Sequence, residues 1–157
     1  PSAIAQLGLF ARTPIPAGTV VCRLGGRLVS GAEPTDILAA AADRPDPPYI
    51  DTITVGDDSH LILPAGHPVR YGNHSCDPNL WWTGPYTLTA RRLIEAGEEV
   101  TNDYATSTGV ADFSMNCACG TTLCRSMITG RDWEDHRLQD RYGDHWIPAL
   151  LDRMCRS

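Results

Sequence analysis

The chain has 157 residues, a length that fits a single domain able to bury a core. Its net charge of −6 argues against the clustered positive surface that nucleic-acid binding requires. The acidity suits a basic protein partner, and it also suits plain solubility. No segment approaches the roughly 20 apolar residues of a membrane span, and the N-terminus lacks a secretory-signal pattern. We therefore expect an intracellular protein with no nucleic-acid partner and no membrane segment.

Short segments rich in β-branched and aromatic residues, bounded by Gly, Pro, Asn and Asp, predict a mainly β body. The predicted strands lie within TVVCRLGG (19–26), YIDTITVG (49–56), HLILPAG (60–66), YTLTARRL (86–93) and EEVTNDY (98–104). A short helix is predicted within 34–43, where a proline-rich segment ends it. After Gly130 the apolar residues of 132–144 and 146–157 have helical spacing and predict a short helical tail.

Two segments share the pattern Ile-x-Ala-Gly-x-x-Val: IPAGTVV (15–21) and IEAGEEV (94–100). Each predicts a glycine-centred turn that leads into a strand. A pair of such turns in one fold needs no functional explanation.

Half of the six cysteines are crowded into one loop: Cys117, Cys119 and Cys124. In a reducing compartment, such crowding is typical of metal binding rather than of disulfides. Gly120 would supply the turn, and three thiolates leave zinc one ligand short of a closed tetrahedral site. Cys76, within RYGNHSCDPNLWW (70–82), is the candidate for the fourth ligand. A site left open for a catalytic water has no Glu or His nearby in sequence, so we predict a structural zinc.

Three segments, in this order, resemble the SET-domain protein lysine methyltransferases that carry a post-SET zinc motif. They are NHSCDPN (73–79), IEAGEEVTNDY (94–104) and CACGTTLCR (117–125). The upstream segment LGLFARTPIPAGTVV (7–21) is similar to the opening of that family. The resemblance implies small β-sheets with a knot-like core built from residues 73–79 and 98–104.

The same resemblance implies a division of the chain. We expect a SET domain over residues 1–112, a post-SET zinc knuckle over 113–130 and a helical tail over 131–157. In that family a distant cysteine completes the zinc site, a position that Cys76 matches.

The resemblance also implies S-adenosylmethionine as cofactor, one structural zinc ion per chain and a lysine amine of a protein as substrate. Asn73 and His74 match the Asn-His pair that contacts the cofactor in the family. Tyr104 matches the catalytic tyrosine, whose hydroxyl holds the amine and faces the sulfonium. Because an unperturbed phenol has a pKa of ~10, we expect a neutral hydrogen-bonding role for it.

Further cofactor contacts are expected from four positions: Leu7, Gly8, Tyr49 and Phe113. For Tyr49 and Phe113, plain packing is an equal alternative. Trp81 and Trp82 occupy opposite faces of a predicted strand, so one of them should belong to the core.

Gln6 departs from the family pattern, because the opening motif is commonly Gly-x-Gly and this chain has Gln6-Leu7-Gly8. The departure favours an alternative function: a SET fold without lysine methyltransferase turnover. Such a protein would serve as a binding or scaffold module, or would act on a small molecule with the same cofactor. A hydrolase built on His74 and Cys76 is disfavoured, because we expect their side chains on opposite faces of an extended chain.

Overall fold

The computed structural model describes residues 1–30, 33–42, 50, 52–56 and 58–156. In this part of the chain eleven short strands form four small sheets, and two helices follow at the C-terminal end. The strands are β1 (Leu9–Phe10), β2 (Val20–Arg23), β3 (Arg27–Ser30), β4 (Thr52–Gly56), β5 (Ser59–Ile62), β6 (Asn73–His74), β7 (Leu80–Trp82), β8 (Thr87–Ala90), β9 (Glu99–Asn102), β10 (Ser114–Asn116) and β11 (Met127–Thr129). The mainly β fold with short C-terminal helices, predicted from the sequence, is confirmed.

Two of the sheets are antiparallel and three-stranded, in the orders β2-β8-β7 and β3-β5-β4. Trp81 and Trp82 alternate on β7, so that Trp82 is buried and Trp81 stays partly exposed. One of the two tryptophans therefore belongs to the core, as expected. Helix α1 (Glu33–Ala42) contacts β3, and it confirms the helix predicted in this region.

The sheet β1-β9-β6 brings the segments 73–79 and 94–104 side by side, because the first contains β6 and the second contains β9. Strand β6 runs parallel to β9, with Asn73 opposite Thr101. Asn79 continues the contact with its buried side chain: Oδ1 accepts the N–H of Thr101 at 2.9 Å and Nδ2 donates to the carbonyl of Glu99 at 2.7 Å. The segment after β6 is therefore fastened to β9 by side-chain bonds.

The two repeated turns lie against each other. Gly18 and Gly97 have φ values of 79° and 83°, a backbone conformation that glycine adopts without steric cost. Ile15 and Ile94 exchange two backbone hydrogen bonds of 2.9 Å in an isolated antiparallel bridge. The first turn connects β1 to β2 and the second connects β8 to β9. The bridge between Ile15 and Ile94 therefore ties these two connections together.

The C-terminal third begins with the hairpin of β10 and β11 and continues into α2 (His136–Tyr142) and α3 (Pro148–Arg156). The Asp135 carboxylate caps α2 by accepting the N–H of Arg137, and Gly143 ends the helix at φ 54°. Both helices and the connection between them contribute to the main apolar core: Tyr142 from α2, Trp146 and Ile147 from the connection, and Leu150 from α3. In the described residues, no helix is long and apolar enough to cross a membrane.

Candidate functional site

The four cysteines singled out from the sequence come together. The Sγ atoms of Cys76, Cys117, Cys119 and Cys124 all lie within 4.8 Å of one another. Cys76 and Cys117 have their Sγ atoms 3.7 Å apart, and a tetrahedral site with Zn–S bonds of about 2.3 Å has sulfur atoms about 3.8 Å apart. Gly120 has a φ of 67° and supplies the turn between the thiols, as predicted. The cluster could therefore hold a metal ion.

The thiols also have the electrostatics of a site that a cation would complete. Burial raises the pKa of Cys76 and of Cys117 above its ordinary value, so these thiols stay protonated unless a positive charge is bound. Burial opposes ionisation of Cys119 as well, but hydrogen bonds from Thr121 and from the backbone lower its pKa to about 6. A metal ion would stabilise all the thiolates together.

Tyr104 is held at its side chain and at its backbone. Its hydroxyl donates to the carbonyl oxygen of Gly72 at 2.8 Å, and its backbone N–H donates to Nδ1 of His74 at 3.1 Å. It begins a 3₁₀ turn (Tyr104–Thr106) that the Asp103 side chain caps. Because Gly72 directly precedes β6, the phenol lies against the segment that carries Asn73 and His74.

His74 links Tyr104 to the thiol cluster. Its ring is 3% exposed, and burial lowers its pKa to about 4, although Asp103 opposes this shift. Nδ1 accepts from Tyr104, so the neutral ring carries its proton on Nε2, which faces Cys76 Sγ at 3.3 Å. The ring is fully engaged in the protein interior, and contact with a bound cofactor would come from the backbone of His74.

The expectation that His74 and Cys76 point apart is wrong, because residues two positions apart on an extended chain share a face. The conclusion against a hydrolase nevertheless stands on other grounds. The proton on Nε2 faces the sulfur, so the ring presents no lone pair with which to deprotonate Cys76.

Two cavities share part of their walls, and Tyr104 lines the first of them. The first has a volume of about 370 Å³ and a mixed lining, with Thr52, Tyr104 and Ser107 among its polar residues and Phe113 among its apolar ones. The second has a volume of about 350 Å³ and is mainly aliphatic. Both are lined by the same four residues: Val69, Gly72, Leu88 and Asn102. Gly72, whose carbonyl accepts the Tyr104 hydroxyl, is thus one of the residues that line both cavities.

A second polar group forms where β1, β6 and β9 meet. Asn73 Nδ2 donates to Glu99 Oε1 at 2.6 Å and to the Leu7 carbonyl at 2.8 Å. The hydroxyl of Ser2 also donates to the Glu99 carboxylate. A Cβ added at Gly8 would collide with Glu99 and lie 3.1 Å from Asn73 Nδ2. With the Glu99 carboxylate in this place, position 8 has no room for a side chain, and this holds for any residue at position 6.

The residues predicted for the cofactor thus fall into two groups. Leu7, Gly8 and Asn73 lie together at the β1–β6 edge, whereas Tyr104 and Phe113 line the first cavity. Gly72 connects the two groups, because it precedes Asn73 in the chain and its carbonyl accepts the Tyr104 hydroxyl. Tyr49 lies outside the described residues.

A family model for the SET domain matches residues 6–105. The chain belongs to the SET-domain family. The matched range holds the strands β1 to β9 and ends one residue after Tyr104. Two parts of this SET domain lie beyond the matched range. They are the loop that carries Cys117, Cys119 and Cys124, which we call the thiol loop, and the two C-terminal helices.

Two curated relatives are each 31% identical to the chain. The histone-lysine N-methyltransferase ash1 of Drosophila melanogaster aligns over 134 residues, which cover 79% of this chain and 6% of that protein. The H3 lysine-4 specific histone-lysine N-methyltransferase of Mycosarcoma maydis aligns over 143 residues, 81% of this chain and 9% of that protein. The chain therefore spans less than a tenth of the length of these relatives.

Among solved structures, the chain is similar to the methyltransferase domain of human histone-lysine N-methyltransferase SETMAR. The TM-score is 0.57 at 25% identity, over 76% of this chain and 52% of that one. The likeness supports the fold assignment.

Sequence reasoning missed three polar residues around the site: Glu99, Asp103 and Arg125. Glu99 accepts a hydrogen bond from Asn73. Arg125 donates to Asp103, the residue that precedes Tyr104 in the chain. The only sequence signal was their position next to singled-out residues. Strand register and the fold of the thiol loop, not local pattern, bring them to the site.

Proposed function

We propose that this SET domain transfers a methyl group from S-adenosylmethionine to a lysine amine of a protein substrate. One observation carries the proposal: the Tyr104 hydroxyl is fixed on the Gly72 carbonyl, a residue shared by two cavities. An in-line displacement requires the methyl donor and the amine to approach the transferred carbon from opposite sides. We assign one reactant to each of the two cavities that Gly72 lines.

Tyr104 would act by positioning rather than as a base. Its proton is committed to Gly72, so the phenol oxygen is oriented to accept an N–H of the amine and turn the nitrogen lone pair toward the methyl group. The bound donor would supply the methyl group from its sulfonium, whose sulfur would keep the bonding pair, and the amine nitrogen that gains the methyl would release a proton to water. The phenol oxygen and the Gly72 carbonyl place partial negative charge beside the positive charge that moves between sulfur and nitrogen.

The donor would contact two sets of residues. Asn73 and the Leu7–Gly8 backbone offer hydrogen-bonding groups at the β1–β6 edge, and Phe113 offers an aromatic wall in the first cavity. Glu99 adds a negative charge next to Asn73, which suits the ammonium and sulfonium groups of the donor.

The four-thiol cluster would bind one structural zinc ion. Four thiolates close the tetrahedral shell and leave no position for water, so the metal would serve stability rather than catalysis. It would tie Cys76, at the end of the Asn73–His74 segment, to the loop that carries the other three cysteines.

The substrate would be a basic protein segment. The relatives in the comparison are named as histone-lysine methyltransferases, and the net charge of −6 attracts a lysine-rich chain. Such a target places the protein inside the cell.

The proposal is tested with the purified protein, labelled S-adenosylmethionine and a library of basic peptides that includes histone tails. We expect label on lysine in the wild type, and calorimetric binding of the donor. A control library with each lysine replaced by arginine should accept no label. Tight donor binding without transfer to any peptide or small amine would refute methyltransferase activity, and would support the scaffold function that Gln6 raises.

A further inference from the structure

Asp103 carries a buried carboxylate, with 1% of the residue exposed, and lies in the chain between Asn102 and Tyr104. Asn102 lines both cavities and Tyr104 lines the first. The N–H of Ala105 donates to Oδ1 of Asp103 at 3.0 Å, and the N–H of Thr106 donates to the backbone carbonyl of Asp103. These bonds close the turn that carries Tyr104. A buried carboxylate is stable only when it is paired, so its other partners hold this turn in place.

The side chains that donate hydrogen bonds to this carboxylate come from outside the range that the family model matches. Arg125 donates two parallel bonds to the carboxylate, both 2.7 Å long, and the Tyr142 hydroxyl donates a third at 2.8 Å. Burial opposes the charge of Arg125, but Asp103 outweighs it and raises the pKa of the guanidinium. Burial and Asp103 together raise the pKa of Tyr142, which keeps it a neutral donor.

Arg125 also belongs to the thiol cluster. It directly follows Cys124, and its backbone N–H donates to Cys76 Sγ at 3.3 Å. On its outer side, Nε faces Asp132 Oδ2 at 3.3 Å. The backbone of this one residue therefore contacts the thiols while its side chain holds the aspartate next to Tyr104.

We propose that Arg125 is a positioning residue that couples metal binding in the thiol cluster to the orientation of Tyr104. The ordered cluster holds Arg125 on Asp103, and Asp103, fastened also by Tyr142, fixes the turn that directs the Tyr104 hydroxyl to Gly72. The effect on rate rests on the proposed methyl transfer. The coupling itself is a property of the chain and is measurable without any substrate.

The first test compares variants of graded severity. Arg125→Met removes both bonds, Arg125→Lys keeps the charge but loses the two-pronged geometry, and Tyr142→Phe removes one oxygen. Arg137→Met is the matched control, because Arg137 pairs with Asp135 at the surface. At saturating donor and peptide we expect single-turnover rates to fall about 10²-fold, about 10-fold and a few-fold respectively, with near wild-type donor affinity and an unchanged control. Should Arg125→Met fail to fold, the other two variants carry the test.

The second test measures amide hydrogen exchange, with and without a zinc chelator. In the wild type, chelation should speed exchange at Ala105 and Thr106. In Arg125→Met exchange there should already be fast, and the chelator should add little, because coupled changes are not additive. The Tyr104 amide donates to His74, whose ring reaches Cys76, so this amide reports a second connection to the thiol cluster and is read separately. The Ile94 amide donates to the carbonyl of Ile15, away from both connections, and serves as the internal control.

Two results would overturn the coupling. One is an equal effect of the chelator on Ala105 and Thr106 in the wild type and in Arg125→Met. The other is a set of variants that melt earlier but keep wild-type rates and exchange, which would make the contact structural only. If the wild type transfers no methyl group, the proposed function is refuted, but the exchange result still tests the coupling.

Discussion

At the scale of single residues, Tyr104 offers the sharpest test of the chemistry. Tyr104→Phe removes one oxygen that bonds to Gly72 and leaves the ring in the cavity wall. Interactions that strengthen only in the transition state lower turnover rather than ground-state binding. We expect the variant to keep its fold, its metal and most of its donor affinity, while the single-turnover rate falls by about 10²-fold or more. Equal rates in the two proteins would mean that Tyr104 is only a packed residue.

Asn73 tests the cofactor assignment in the same way. Its amide joins Leu7 to Glu99, and Asn73→Ala would leave polar groups around the donor without a partner. We expect donor binding to weaken by about 1–3 kcal/mol, measured by calorimetry. Asn116→Ala, at an exposed asparagine of the hairpin, is the control and should bind normally. A wild-type dissociation constant for Asn73→Ala would remove this segment from the donor site.

The sequence could indicate which residue types form the site but not which way adjacent side chains point. Glu98 and Glu99 are neighbours, yet one bonds to Asn79 and the other to Asn73, because successive strand residues face opposite sides. Only the pairing of β9 decides between them. The contact between Asp103 and Arg125 could not be predicted either, because it joins residues 22 positions apart in the sequence.

At the scale of elements, the thiol loop is where a single change should have a regional effect. Cys76→Ser removes the ligand contributed by the distant segment, so the remaining thiols should retain metal weakly and the 113–130 region should lose order. Elemental analysis after dialysis measures the first effect, and amide exchange measures the second. Cys22→Ser and Cys155→Ser are the controls, because neither thiol belongs to the cluster. Full metal retention in Cys76→Ser would exclude Cys76 as a ligand.

The turn that leads into β9 should respond to pH. Burial opposes ionisation of Glu98, but Arg92, Asn79 and the N–H of Glu95 lower its pKa from 4.5 to about 2. A depressed pKa stabilises the fold above the unfolded value, and this stability is lost as the pH falls toward the folded value. The free energy of unfolding of Glu98→Gln should therefore be about 1 kcal/mol lower than that of the wild type at pH 7. In urea titrations the gap from wild type should narrow below about pH 4.5, and a gap that stays constant down to pH 3 would contradict the assignment.

The helices and five of the eleven strands in the described residues were predictable. Four predicted segments contain β2, β4, β8 and β9, a fifth overlaps β5, and the helical spacing after Gly130 yields α2 and α3. The two-residue strands β1 and β6 could not be identified from periodicity, because an alternating pattern needs several residues to show. β6 exists because the fold places it alongside β9.

At the scale of the whole molecule, the matched family range and the core do not end together. The match ends at residue 105, but α2 and α3 pack into the same core as the sheets. The N–H of Ile147 donates to the carbonyl of Thr106 at 3.0 Å, so the helical tail touches the turn that carries Tyr104. We therefore propose that residues 1–112, 113–130 and 131–157, although distinct in sequence character, unfold as one cooperative unit.

Trp146 tests this cooperativity, because it is fully buried and packs edge-on against Tyr142. Trp146→Ala should cost about 3–5 kcal/mol, and near-UV and far-UV signals should still shift together, since one core joins the tail to the sheets. Trp81→Ala removes a partly exposed ring stacked on His145, and it should cost only about 1 kcal/mol. If Trp146→Ala instead melts the helical signal at low urea while the β signal keeps its wild-type midpoint, the tail folds separately. The stability of the Tyr104 turn would then have to come from the SET sheets and the thiol loop alone.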